Sequence, residues 1–122
     1  AMVTRAEQAE MFDMVCVHEA ATTGIDAEWL VGSVRCVYET GRMAASLGFD
    51  AVYVGGYVTG GSRAVSEPLL TMTEQVETAE AVARSVGIPT LCDAGAGFGE
   101  PLHVTRTVRE FIHAGVAGIH IE

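Results

Sequence analysis

Positive charge is scarce in this chain of 122 residues. Seven Lys and Arg stand against sixteen Asp and Glu, a formal charge of −9 with a pI near 4.7. A nucleic-acid surface is built from basic patches that neutralise phosphates, so this composition argues against such a partner. The acidic excess selects no other partner, because net charge mainly reports solubility. Also missing is any stretch approaching the roughly 18 apolar residues of a membrane span, so no membrane partner is expected. The first residues are polar and mixed in charge, which predicts no signal peptide. Cysteine is sparse and odd in number: Cys16, Cys36 and Cys92 sit in apolar patterns, no two at metal-ligand or redox spacing. They are expected to be buried, reduced thiols in a cytoplasmic protein. What remains, 49% hydrophobic and 19% charged, is the composition of one globular domain.

Taken in order, Thr4-Arg5-Ala6-Glu7 has capping-box spacing, and Ala9, Met11, Phe12, Val15 and Cys16 recur at helical intervals. A helix is predicted over Thr4–Ala21, with His18 on its surface, then a short one from Asp26 through Trp29 and Leu30, ended by Gly32. Trp29 reads as a packing anchor. Val34–Tyr38 is predicted as a strand, Thr40–Leu47 as a helix, and Ala51–Val54 as a second strand running into Gly55-Gly56-Tyr57. A glycine-rich loop, Thr59-Gly60-Gly61-Ser62 through Pro68, precedes a helix from Thr73 to Val86 that Gly87 stops. Pro89–Asp93 is a third strand, Pro101–Ala114 an amphipathic helix, and Val116–Glu122 a fourth strand. Strands alternating with helices mean a parallel sheet with right-handed crossovers, either an open doubly wound sheet or a (β/α)8 barrel. The pattern breaks off at Glu122 with no helix to cover the last strand, which predicts a longer native chain.

The chemistry is expected at the strand ends. Leu91 and Asp93 share one strand face, and His120 and Glu122 share another, because side chains alternate along a strand. If both faces point inward, Asp93 and Glu122 converge from neighbouring strands. Two carboxylates with waters suit a hard cation such as Mg²⁺; the bland alternative is a helix cap or an ion pair. Gly55, Gly56 and Tyr57 form either a tight loop or a cradle of backbone N–H groups for a carboxylate or enolate oxygen. Glu67, in the following loop, either reaches the same cation or is solvated. Glu39 is a polar rim candidate. His103, His113, Arg106 and Arg109 read as exterior, Arg106 with the option of pairing with a neighbouring acid.

Three stretches resemble one known group of proteins: Gly48-Phe49-Asp50-Ala51-Val52-Tyr53-Val54-Gly55-Gly56-Tyr57, Leu69-Leu70-Thr71-Met72-Thr73-Glu74, and Asp93 through Gly99. Arg106-Thr107-Val108-Arg109-Glu110 and Ala114 through Glu122 continue the likeness in the right order. From about Val34 onward the chain resembles the isocitrate lyase/phosphoenolpyruvate mutase superfamily.

That resemblance implies a parallel (β/α)8 TIM-type barrel, of which this chain supplies about the first four β/α units. An N-terminal helical segment would occupy 1–32 and the first half of the barrel 33–122. It implies a cytoplasmic homo-oligomer, dimer or tetramer, that binds Mg²⁺ and a small carboxylate, an α-oxo acid or its enolate. Asp93 matches the first acid of the family's Asp-x-Asp-x-Gly-[Tyr/Phe]-Gly motif, and Glu122 the glutamate of its Ile-Glu-Asp strand end. Gly55, Gly56 and Tyr57, with Asp93, match the substrate-binding positions. The sequence departs from the pattern at Gly95, which replaces the second acid, and at Gly55, which stands where serine is common. The loop aspartate before Leu69 is absent, and Glu67 is its nearest substitute as a metal ligand. The lid with the lyases' catalytic cysteine lies beyond residue 122. The expected activity is a Mg²⁺-dependent carbon–carbon lyase acting on a small 2-hydroxy di- or tricarboxylate. Mutase, hydrolase or decarboxylase chemistry, and a non-catalytic keto-acid-binding relative, are the alternatives.

Overall fold

A computed structural model of the chain describes residues 2–5, 14–18 and 27–122, with side chains from residue 37 onward. Its strands form one sheet in the order β1-β2-β3-β4-β5. β1 (Met2–Arg5) is antiparallel to β2 (Met14–His18). β2, β3 (Ala51–Val54), β4 (Thr90–Asp93) and β5 (Gly118–His120) run parallel. The crossovers carry α1 (Ala27–Ser46), then α2 (Gly56–Ser62) with a 3-10 turn over Glu67–Leu69 and α3 (Met72–Val86), then α4 (Pro101–His113). Strand order that follows chain order, joined by right-handed crossovers, stacks the connecting helices on one face. A doubly wound sheet needs a reversal of strand order, and there is none among the described strands.

Two expectations fail in the first third of the chain. Where a helix is predicted over Thr4–Ala21, the described residues Met2–Arg5 and Met14–His18 are the strands β1 and β2, so His18 lies on a strand. Residues 6–13 and 19–26, including the proposed cap Asp26, lie outside the described residues, as do the side chains of His18, Trp29, Cys16 and Cys36. The predicted strand Val34–Tyr38 and the short helix ended by Gly32 are both parts of α1. Val37, Thr40, Gly41 and Ala44 are buried at i, i+3, i+4 and i+7, the period of a helix face. A Cβ on Gly41 would lie 2.9 Å from Val86 Cγ1, so the glycine lets α3 close onto α1 rather than ending the helix. The first parallel strand is therefore β2, starting at Met14 rather than Val34, and the sheet begins before residue 33.

The later elements follow the sequence closely. α3 begins one turn position early because Thr71 caps it. Its hydroxyl accepts from Glu74 N at 3.3 Å, and the Glu74 carboxylate accepts from Thr71 N at 2.9 Å. The Thr71 N–H first, then the Thr71 hydroxyl, which also donates to the Glu74 carboxylate at 2.9 Å, hold the Glu74 carboxyl below its ordinary range. Gly87 ends α3 in the left-handed conformation, as predicted. Between sheet and helices, Val37, Val52, Val54, Val58, Ala79, Val82, Val86, Cys92 and Phe111 form the core. Among the described residues no helix is long and apolar enough to cross a membrane.

Candidate functional site

Strand register decides which side chains meet. Tyr53 stands opposite Leu91, Leu91 opposite Gly118, and Asp93 opposite His120. These residues therefore occupy one face of the sheet, away from the helix-covered face that holds Val52, Val54, Thr90 and Cys92. The expectation that the Leu91–Asp93 face and the His120 face are the same one is met. Tyr53 Oη and His120 Nδ1 lie 3.5 Å apart on it, at the outer limit of a hydrogen bond.

Asp93 ends β4, and its carboxylate is held by backbone. Oδ1 accepts from Gly95 N at 2.8 Å, an Asx-type turn that folds the loop back, and Oδ2 accepts from Gly56 N at 3.3 Å at the end of β3. The same residue is held from below by α3: Gln75 Nε2 donates to the Asp93 carbonyl at 2.9 Å and lies 3.4 Å from Cys92 Sγ. Gln75 is 1% exposed, and its Oε1 has no partner among the described residues. Burial pushes the Cys92 thiol up to about 12, so this free cysteine stays protonated and inert, as the sequence suggested.

Glu67 and Glu122 join Asp93. The 3-10 turn brings the Glu67 carboxyl within hydrogen-bonding reach of Asp93. Burial first, then the Asp93 charge and hydrogen bond, then the Glu122 charge, raise Glu67 above the usual carboxylate range. Glu122 is placed by backbone pairing past β5: Ala94 N donates to His120 O at 2.9 Å, and Glu122 N to Gly95 O at 3.1 Å. An open cleft of about 860 Å³ runs from Glu67, Gly95 and Glu122 between walls that include Leu70, Met72 and Phe98. Phe98 sits at a φ of +61°, an uncommon conformation for so bulky a residue, in the loop that forms one wall.

The donor set fits Mg²⁺ in kind. Glu67 and Glu122 line one end of the cleft with Asp93 beside them, and burial first, then the Asp93 and Glu122 charges, raise Glu67 above the usual carboxylate range, a setting that a cation would relieve. Among the described residues no group of three His, Cys, Asp or Glu is placed to hold a metal ion by itself. Mg²⁺ keeps several waters and commonly takes one or two protein carboxylates, so an open set of oxygens suits it and a zinc-type cage is not needed.

The other predicted positions divide. Gly55 caps α2, Gly56 begins it, and Tyr57 is half-exposed in its first turn, so the predicted glycine loop is helical from Gly56 to Ser62. Of the possible N–H cradle, the Gly56 N–H is already given to Asp93. Glu39 is exposed within α1, away from any strand end. His103, His113, Arg106 and Arg109 are exposed on α4, where Arg106 Nε pairs with Glu110 at 3.4 Å. Sequence reasoning did not single out Tyr53 or Gln75. Tyr53 was findable, since it is two residues from Gly55 on the alternating face; nothing local marks Gln75, a polar residue on an otherwise apolar stripe.

The chain is similar to known proteins in sequence and in fold. The family model for phosphoenolpyruvate phosphomutase matches residues 10–122. The chain is 46% identical over 86 residues to a 2,3-dimethylmalate lyase of Eubacterium barkeri, covering 68% of this chain and 29% of that protein. It is 43% identical over 82 residues to a probable 2-methylisocitrate lyase of Corynebacterium glutamicum, covering 66% and 27%. The crystal structure of a phosphoenolpyruvate phosphomutase from Streptomyces platensis subsp. rosaceus superposes with a TM-score of 0.65 at 26% identity, over 75% of this chain and 37% of that one. The chain thus spans less than a third of the length of these two curated relatives.

Proposed function

The chain belongs to the phosphoenolpyruvate phosphomutase family, and on that premise we propose a Mg²⁺-dependent carbon–carbon lyase that cleaves a small 2-hydroxy di- or tricarboxylate, the hydroxyl-bearing carbon becoming the carbonyl of an α-oxo acid and the other fragment leaving as the enolate of a carboxylate. The observation that carries this reading is the gathering of Glu67, Asp93 and Glu122 beyond the carboxyl ends of parallel strands. Asp93 and Glu122 would hold the cation directly or through water, with Glu67 as the third carboxylate. A cation bound there would supply positive charge to offset the negative charge that develops as the bond breaks. The Gly95 and Gly56 N–H groups fix the orientation of the Asp93 carboxylate before substrate arrives. Gly55, Gly56 and Tyr57 border the substrate's carboxylate. His120, close to Tyr53, would take up the proton that leaves the substrate hydroxyl, and a separate acid would return a proton to the enolate of the departing carboxylate. Further strands would close the sheet into a (β/α)8 barrel, working as a homo-oligomer. Names among the relatives support a lyase: 2,3-dimethylmalate lyase and 2-methylisocitrate lyase.

One observation favours a second reading. Gly95 carries no acid; a Cβ there would meet nothing within 4 Å, but its φ of +49° would strain a side chain. A relative that binds a keto acid without turning it over would have that appearance. Calorimetry with Mg²⁺ and oxalate, followed by assay for α-oxo acid release from a panel of 2-hydroxy di- and tricarboxylates, separates the readings. Mg²⁺-dependent oxalate binding with turnover is the expected result. Binding without turnover selects the second reading, and no binding by the full protein removes both.

A further inference from the structure

Gly56 and Gly60 lie one turn apart on α2, both buried, and the chain returns across them. A Cβ on Gly60 would sit 2.5 Å from the Val65 carbonyl oxygen and 3.2 Å from Glu67 N. One on Gly56 would sit 2.7 Å from Glu67 Oε1 and 3.1 Å from its Cδ and Cγ. The first approach is to backbone, which cannot swing aside as a side-chain tip can. That backbone is also tied down: Val65 N donates to Gly60 O at 2.9 Å, and Leu70 N to Glu67 O at 3.0 Å. Gly61, the next residue, is exposed and has nothing within 4 Å. Glycine is a poor helix former, so a helix that contains it at a crowded position has a packing reason for it.

The geometry points to Gly60 as a positioning residue: its missing side chain lets residues 65–67 lie flat on α2, and this carries the Glu67 carboxyl across Gly56 to Asp93. The consequence for cation binding rests on the function proposed above; the consequence for where Glu67 lies does not.

The test is a set of variants of the full protein, G60A, G61A, E67A, E67D and the double G60A/E67A, with Mg²⁺ affinity measured by calorimetry and G60A solved by crystallography. In G60A the 65–67 segment should be displaced, with the Glu67 carboxyl drawn out of reach of Asp93 and Mg²⁺ affinity lowered roughly tenfold or more, as for an outer partner of a metal ligand. E67A should lose as much, and the double variant no more than E67A, since both changes act through one carboxylate. G61A should match the wild type. E67D, one methylene shorter with Gly60 in place, should also lose affinity, which keeps the proposal exposed should G60A fail to fold. An unmoved Glu67 in G60A, penalties that multiply in the double variant, or an unaffected E67D each overturn it. A wild type that takes up no Mg²⁺ would end the cation reading, and the position of Glu67 in G60A would still decide this one.

Discussion

β3 and β4 are each four residues long, and their two faces have different tasks. On one, Val52, Val54, Thr90 and Cys92 are at most 2% exposed beneath the helices. On the other, Tyr53, Leu91 and Asp93 are only half-buried and carry the polar atoms of the candidate site. Burial on the first face supplies the hydrophobic term that holds the sheet to its helices. The second face is left free to keep groups a tighter packing would exclude, among them the Asp93 carboxyl, whose charge with that of Glu122 acts on Glu67. The faces are joined at Gln75, which reaches from the covered side to the carbonyl of Asp93. Changes on the covered face should therefore be read in stability, and changes on the open face in ligand binding.

The largest effect tests the covered face. Phe111 on α4 is 1% exposed in the core, and Phe111→Ala should cost about 3–5 kcal/mol in denaturant unfolding, the usual range for a buried aromatic truncation. A smaller loss would mean that the core tolerates collapse there and that the covered face is less decisive than its burial implies. On the open face, Asp93→Asn keeps an oxygen for the Gly95 N–H, gives up the long 3.3 Å bond from Gly56 N and removes the charge beside Glu67. Its unfolding free energy should stay within about 1 kcal/mol of wild type. Its Mg²⁺ affinity should fall by more than the roughly 10–100-fold typical of an outer partner. An Asp93→Asn protein that binds Mg²⁺ normally, or that unfolds, would erase the division between the faces.

That division was largely legible in the sequence from β3 onward. Period-two alternation put Leu91 and Asp93 on one face, and glycine and proline punctuation bounded α3 and α4, because these signals are local. The failures share a cause. Gly32 and Gly60 both stand inside helices rather than ending one or forming a loop, and at Gly60 tertiary approach outweighs the residue's intrinsic preference. Val34-Arg35-Cys36-Val37-Tyr38 is β-rich as a pentapeptide, but the burial of Val37, Thr40, Gly41 and Ala44 shows a helical period that only a longer window contains. The meeting of Glu67 with Asp93 depends on how a return loop crosses α2, which no local pattern encodes.

The cap of α3 lies between the two regimes, since Thr71 borders the cleft while Glu74 secures the helix that covers the sheet. Thr71→Ala removes the hydroxyl that accepts from Glu74 N and should cost about 1 kcal/mol by thermal unfolding, with Mg²⁺ affinity unchanged. A loss of affinity without a loss of stability would move Thr71 from the scaffold to the site.

The smallest effect is a slope rather than a loss. Burial, with Asp93 and Glu122, raises Glu67 above its ordinary value of 4.5, so the folded chain holds this proton more tightly than the unfolded one. Stability from that proton is complete below the unfolded value and is lost as pH climbs from 4.5 through the raised value, because the folded state must then carry a charge it disfavours. Glu67→Gln cannot ionise and should lack this part of the slope. In chelator, its midpoint of thermal unfolding should gain on the wild type as pH rises across that window and hold the gain at neutrality. Were the two curves parallel, Glu67 would be no more strained than an exposed carboxylate. The open face would then lose the one sign, short of a bound cation, that its charges are gathered for a purpose.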